Sequence, residues 1–226
     1  MTALNFISPQ ERQTIASAIA AAEKTTSAEI VCAVATASGR YDREESIVGL
    51  LGSLLALAGI NLVAAGGPEA AGTWTTIPHV TWVAQALAVV IGFIVGSFAA
   101  GRWPALRRLL SSSETLAGEC TRAAMMLFCQ RRLASTRSRS GLLIFVSLAE
   151  RRVVVLGDDR VMAAAGQALL DKVRDLAVTR LRSGRHPETF LDAIDVVTTE
   201  LASKLPPEPV DPNELSNELL CLHPRP

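Results

Sequence analysis

The sequence predicts an α/β domain that is interrupted, after its first strand, by a helical hairpin crossing a membrane. Three observations carry this. Residues 47–66 (IVGLLGSLLALAGINLVAAG) and 80–101 (VTWVAQALAVVIGFIVGSFAAG) contain no charged residue. At about 1.5 Å per helical residue each reaches roughly 30 Å, the thickness of a bilayer's hydrocarbon core. The run AEIVCAVATA at 28–37 is nearly all apolar and short, as a strand buried on both faces would be. Such a strand needs sheet neighbours, and the only segments able to supply them lie beyond residue 140.

The elements follow in order. Ser8-Pro9-Gln10-Glu11 is a capping box with proline at the first helical position. The helix it opens repeats apolar residues at Ile15, Ala18, Ile19 and Ala22 and runs out at Thr25-Thr26-Ser27. After the 28–37 strand and the hairpin, Ser111-x-x-Glu114 is a second capping box. It opens a helix to about Arg132 with Leu116, Ala123, Leu127 and Phe128 on its apolar side. GLLIFVSL (141–148) and RVVVLG (152–157) are strands, and the three residues between them imply an antiparallel hairpin whose tip, Glu150-Arg151, is solvated. A helix over 161–182 ends at Gly184, a C-cap. His186-Pro187 starts another, with Phe190, Leu191, Ile194, Val197, Leu201 and Leu205 at helical spacing and Pro206-Pro207 stopping it. The proline-rich tail, 206–226, reads as irregular. Residues 1–46 and 102–205 are thus the two parts of one domain, and 47–101 is the hairpin.

Composition limits function. The net charge is zero and aromatic residues make up only 4% of the chain, which argues against a nucleic-acid partner held by a basic surface or a stacking platform. The 13-residue link GPEAAGTWTTIPH has no Lys or Arg, whereas Arg40, Arg43, Arg102, Arg107 and Arg108 flank the spans. The positive-inside rule then puts both termini in the cytoplasm and the link outside. Trp74, Trp82, Trp103 and Tyr41 lie at the span boundaries, where amphipathic rings settle. The opening MTALNFISPQERQ lacks a signal-peptide pattern, so the hairpin is expected to direct insertion. The alternative, two helices buried in a soluble core, would demand an unusually large core. Cys32, Cys120, Cys129 and Cys221 have no ligand spacing; Cys32 in its strand and Cys120 and Cys129 in one helix read as small core residues, which suits a reducing compartment.

The order of elements resembles the TPM domain family. The residues that carry the likeness are Lys24-Thr25-Thr26-Ser27-Ala28-Glu29-Ile30-Val31 and SGLLIFVSLAERRV from Ser140 to Val153. Arg182-Ser183-Gly184 and Asn213-Glu214-Leu215 add weaker support. The resemblance implies a three-layer α/β/α sandwich with a small mixed sheet. It also implies a bacterial plasma (inner) membrane setting, since some bacterial members carry an inserted membrane hairpin. Functions across that family differ: phosphatases, binders of divalent metal at acidic loops, and auxiliary subunits of membrane proteins.

Two features invite chemistry. Asp158 and Asp159 follow the third strand, at a strand end where open α/β sheets place binding crevices. With Glu29, or with Ser38, Tyr41 and Asp42 after the first strand, they would suit Mg²⁺ or Ca²⁺ and a metal-assisted phosphatase. Equally, an aspartate directly before a helix is a favoured N-cap. His79, His186 and His223 form no cluster, and no phosphate-binding glycine motif is present. In the second span, Ala84, Ala88, Gly92, Gly96 and Ala100 recur every four residues. Such a ridge lets helix backbones approach closely, against Gly52 and Ala56 of the first span, a second copy, or another membrane protein. Two function classes remain open at this point: an anchored scaffold or auxiliary protein acting at the cytoplasmic membrane face, and a metal-dependent phosphatase.

Overall fold

The computed structural model describes residues 2–39, 42–65, 80–103, 111–133, 136, 138–207 and 215–226. Arg40, Tyr41, the 67–79 link with Trp74 and His79, Arg107, Arg108, Asn213 and Glu214 lie outside the described residues, as do the side chains of Asp42 and Arg43. The chain folds as two compact units, residues 1–39 with 114–226, and residues 40–113.

The first unit is mixed α/β. Its elements are α1 (Pro9–Ala22), β1 (Glu29–Ala35), α4 (Ser113–Gln130), β2 (Gly141–Ser147), β3 (Arg152–Gly157), α5 (Asp159–Arg182), α6 (His186–Leu201) and β4 (Leu220–Leu222). Four strands form one sheet in the order β3-β2-β1-β4. β1 is parallel to β2 and to β4, and β2 is antiparallel to β3. Every residue of β1 and β2 is buried, as two covered faces require. Alternation along the strands sorts the faces. Ile30, Cys32, Val34, Leu142, Ile144 and Val146 meet α1, α5 and α6. Val31, Ala33, Ala35, Leu143 and Phe145 meet Ala123, Ala124 and Leu127 of α4. The result is the three-layer α/β/α sandwich.

Local chemistry sets the boundaries. The Ser8 hydroxyl accepts from the Glu11 N–H at 3.3 Å while the Glu11 carboxylate accepts from the Ser8 N–H at 2.8 Å. Gly184 adopts φ +74°, the left-handed cap that ends α5 at little cost only for glycine. Gly141 is required by close approach, since a Cβ there would stand 2.6 Å from the Leu133 carbonyl oxygen. Thr26, buried, donates its hydroxyl to the Leu205 carbonyl at 2.8 Å, tying the lead-in of β1 to the end of α6. These last two contacts give physical reasons for Gly141 at the head of β2 and for Thr26 ahead of β1.

Several expectations are corrected. The tail is not irregular throughout: Leu220–Leu222 is β4, paired with Ala33–Ala35. α4 begins at Ser113, one residue later than an N-cap at Ser111 implies, and ends at Gln130 rather than Arg132. α5 starts at Asp159, not 161, and breaks at Gly166 (φ 68°). α6 ends at Leu201, ahead of Pro206-Pro207. Cys32 and Cys120 are core residues, but Cys129 is exposed and Cys221 half-buried. Nine residues beyond Cys120 on a helix of 3.6 per turn, Cys129 points about 180° away from it.

The second unit contains α2 (Asp42–Ala65) and α3 (Trp82–Arg102). Glu45–Ala64 and Trp82–Arg102 are long and apolar enough to cross a membrane, with only 11% of each apolar window buried. Helices buried in a soluble core would instead have most of their apolar residues covered.

Candidate functional site

The two candidates from the sequence are the acidic loop and the helix seam of the hairpin; the structure adds a third place, the far end of the sheet. The acidic loop is built by the β3–α5 junction. Asp158 is the N-cap of α5, its side chain accepting from the Asp159 N–H at 2.8 Å, and its own N–H donates to the Gly141 carbonyl at 2.8 Å. Asp159 turns to solvent, 3.9 Å from the Arg139 guanidinium. Arg160 donates to the Ser138 carbonyl at 3.2 Å.

Glu29 is buried at the start of β1, beside a hollow shared with Glu23, Lys24 and Asn217. Strand β2 stands between it and Asp158, so their backbones lie two strand spacings apart, about 10 Å. Ser38 follows the other end of β1, about 20 Å further along the strand direction. Tyr41 lies outside the described residues, as does the side chain of Asp42. Among the described residues no three His, Cys, Asp or Glu side chains gather as metal ligands.

Because β3 runs antiparallel to β2, its end lies at the N-terminal ends of β1 and β2. Open α/β sheets place their crevices at the carboxyl ends of the parallel strands. The donor set therefore fits an N-cap better than a resident cation.

At the carboxyl ends of β1 and β2 the structure assembles a different group. The sequence reading placed Glu150 on a solvated tip; it is buried instead. The β2–β3 turn, with Arg151 at φ 54°, folds it back over the end of β1. One carboxylate oxygen accepts from the Ser38 N–H at 3.1 Å and the Gly39 N–H at 3.4 Å. The other accepts the Ser147 hydroxyl, and Ser38 donates its hydroxyl to Ser147 at 2.7 Å. Cys120 of α4 borders the group; burial pushes its thiol up to about 11, and the Glu150 charge acts in the same direction. A thiol so raised is an inert core group at neutral pH. The network joins the end of β1, the β2–β3 turn and α4. The only sequence signal for it was Ser147 three residues before a glutamate in a turn.

The helix seam of the hairpin uses the small-residue ridge. A Cβ on Gly52 would stand 2.4 Å from the Gly92 carbonyl oxygen, and one on Gly96 2.6 Å from the Val48 carbonyl oxygen. Gly92 and Ala100 are buried, and Ala84, Ala88 and Gly96 are half-buried. Polar groups in the spans also turn inward. Ser53 donates to the Val89 carbonyl at 3.0 Å, Ser97 to the Glu45 carbonyl at 3.3 Å, and Gln85 to Asn61 at 3.4 Å. Outside the seam, Leu55, Leu62, Val63, Ile94, Val95 and Phe98 are exposed.

No family model matches the chain, and no curated protein matches it. Among solved structures it is similar to the BA42 protein of the psychrophilic bacterium Bizionia argentinensis, determined by NMR. That likeness has a TM-score of 0.55 and 17% identity, covering 96% of this chain and 95% of the other. It speaks to the fold alone.

Proposed function

We propose that this protein is a membrane-anchored, TPM-like auxiliary or scaffold protein, acting by binding a partner at the cytoplasmic face of a bacterial plasma membrane. The observation that carries the reading is the hairpin: two spans whose small and polar side chains face each other and whose large apolar side chains face outward. In water such an outer surface would be a severe liability, whereas in lipid it is the expected one. Both termini are cytoplasmic by the charge of the flanks.

The domain's carboxylates favour a binding role over a catalytic one. Asp158 caps a helix and Glu150 holds backbone amides. The partner is lipid and, through the domain or the outer face of the hairpin, a membrane protein. The decisive experiment is a Mg²⁺ and Ca²⁺ titration of the detergent-solubilised chain beside Asp158→Asn/Asp159→Asn, with a phosphomonoester assay in parallel. The proposal expects no saturable metal binding and no turnover. Saturable binding lost in the double variant, together with hydrolysis, would replace the scaffold with the phosphatase.

A further inference from the structure

Charge is unevenly placed in this neutral chain. Residues 102–140 hold eight arginines against Glu114 and Glu119, and residues 186–226 hold eight acids against Lys204 and Arg225. In the α5–α6 layer the charges answer one another: Lys172 meets Glu200 at 2.9 Å, and Arg180 meets Asp192. On the other side of the sheet, Arg122 pairs with Glu119, but Arg131 and Arg132 make no ion pair among the described residues.

The outward stripe of α4 is chemically distinct. While Cys120, Ala123, Ala124 and Leu127 face the sheet, the opposite surface carries Met125 (53% exposed), Met126 (45% exposed) and Cys129, and the exposed Arg131 and Arg132 form the turn that follows the last helical residue, Gln130. Flexible thioethers beside guanidinium groups on long stems suit the boundary between headgroups and acyl chains. Only ten residues, 103–112, separate α4 from the end of the second span. A bilayer surface is therefore offered to this helix at high effective concentration in every copy of the chain.

We propose that the outward face of α4, with Met125 and Met126, together with the exposed Arg131-Arg132 turn at its end, is a docking surface for an anionic bilayer. This rests on the membrane reading above. The methionines enter the interfacial region and the arginines meet lipid phosphates, so that lipid charge sets how firmly the α/β domain is held against the membrane.

Cys129 lies on this face and supplies the probe. The full-length chain carrying Cys221→Ser, with Cys32 and Cys120 buried, is placed in nanodiscs of phosphatidylcholine alone or doped with phosphatidylglycerol. The rate of Cys129 modification by a water-soluble maleimide is then measured. The anionic discs should slow modification about fivefold or more per arginine engaged. High salt should restore the rate, as should Arg131→Gln/Arg132→Gln. Equal rates in the two lipids, or protection that salt and the double variant leave untouched, would overturn the proposal; the latter would indicate a second copy or another protein on the face. Alkaline extraction of the same chain from native membranes separates the two failures. A chain that is released sinks the membrane reading itself, whereas a retained chain with equal rates sinks only the docking face.

Discussion

Replacing Glu150 by alanine tests whether the buried carboxylate holds the end of β1. The substitution removes the acceptor for three donors, the Ser38 and Gly39 N–H groups and the Ser147 hydroxyl. A buried donor left without a partner costs about 1–3 kcal/mol. Ser147 can rotate and the Gly39 contact is long at 3.4 Å, so the sum falls to about 3 kcal/mol, the low end of what breaking a buried charged group costs. At about 1.4 kcal/mol per decade this is roughly a hundredfold rise in the opening of that corner. Cys120 reports it directly, because its thiol is buried against the network. The rate of Cys120 modification, followed by mass spectrometry of its peptide in the full-length protein, should rise by that factor. Glu150→Gln keeps a carbonyl acceptor for both amides and should raise the rate only about fivefold. An alanine variant that modifies Cys120 at the wild-type rate would refute the anchoring argument.

Four further outcomes are expected. Gly92→Leu puts a side chain where a Cβ already meets the Gly52 oxygen at 2.5 Å, so the hairpin should splay and migrate more slowly in detergent gels; Gly59→Leu, with no atom within 4 Å, should not. A reporter fused at Gly72 should be external and one at the C-terminus internal; the opposite pattern would reverse the charge-based topology. Asp158→Ala should lower the thermal stability of the α/β domain by about 1 kcal/mol, while Asp158→Asn, still able to cap, should leave it nearly unchanged in a circular dichroism melt. The Ser8 side chain and then the Ser8 N–H hold the Glu11 carboxyl below its usual range, so the capping box contributes stability above the unfolded carboxylate range. That contribution should vanish as pH falls through the lowered value, and Ser8→Ala should flatten this acid limb of the melting profile.

What could be read from the sequence was whatever depends on periodicity. Ile15, Ile19 and Ala22, or Phe190, Ile194, Val197 and Leu201, mark their buried faces by spacing alone. The spans declare themselves by length and lack of charge. Long-range pairing leaves no such trace. Three residues of β4 inside a proline-rich tail carry too little pattern to mark a strand, and only the open edge of β1 gives them a partner. The direction of β3 was implicit in the short 149–151 turn, yet its consequence, that Asp158 lies at the wrong end of the parallel strands for a crevice, follows only from the assembled sheet. Glu150 misled for the same reason. A charged residue in a turn is usually solvated, and nothing local shows that the amides of Ser38 and Gly39, more than a hundred residues away, come to meet it.

The place of the insertion has its own logic. Parallel strands such as β1 and β2 require a crossover of a dozen residues or more, so the chain between them was never a tight turn. Lengthening such a connection adds only about 0.6 kcal/mol of closure entropy for each doubling. A long helical hairpin can therefore occupy the crossover without disturbing the register of Glu29–Ala35 against Gly141–Ser147, provided the chain leaves the sheet at a fixed point. Glu150 supplies that point. Its two amide contacts fall on Ser38 and Gly39, the last residues of the α/β unit before the hairpin unit begins at residue 40. A buried carboxylate at this corner is hard to justify by stability alone, since apolar packing would serve as well. It is better explained by the need to end one unit sharply where the other begins.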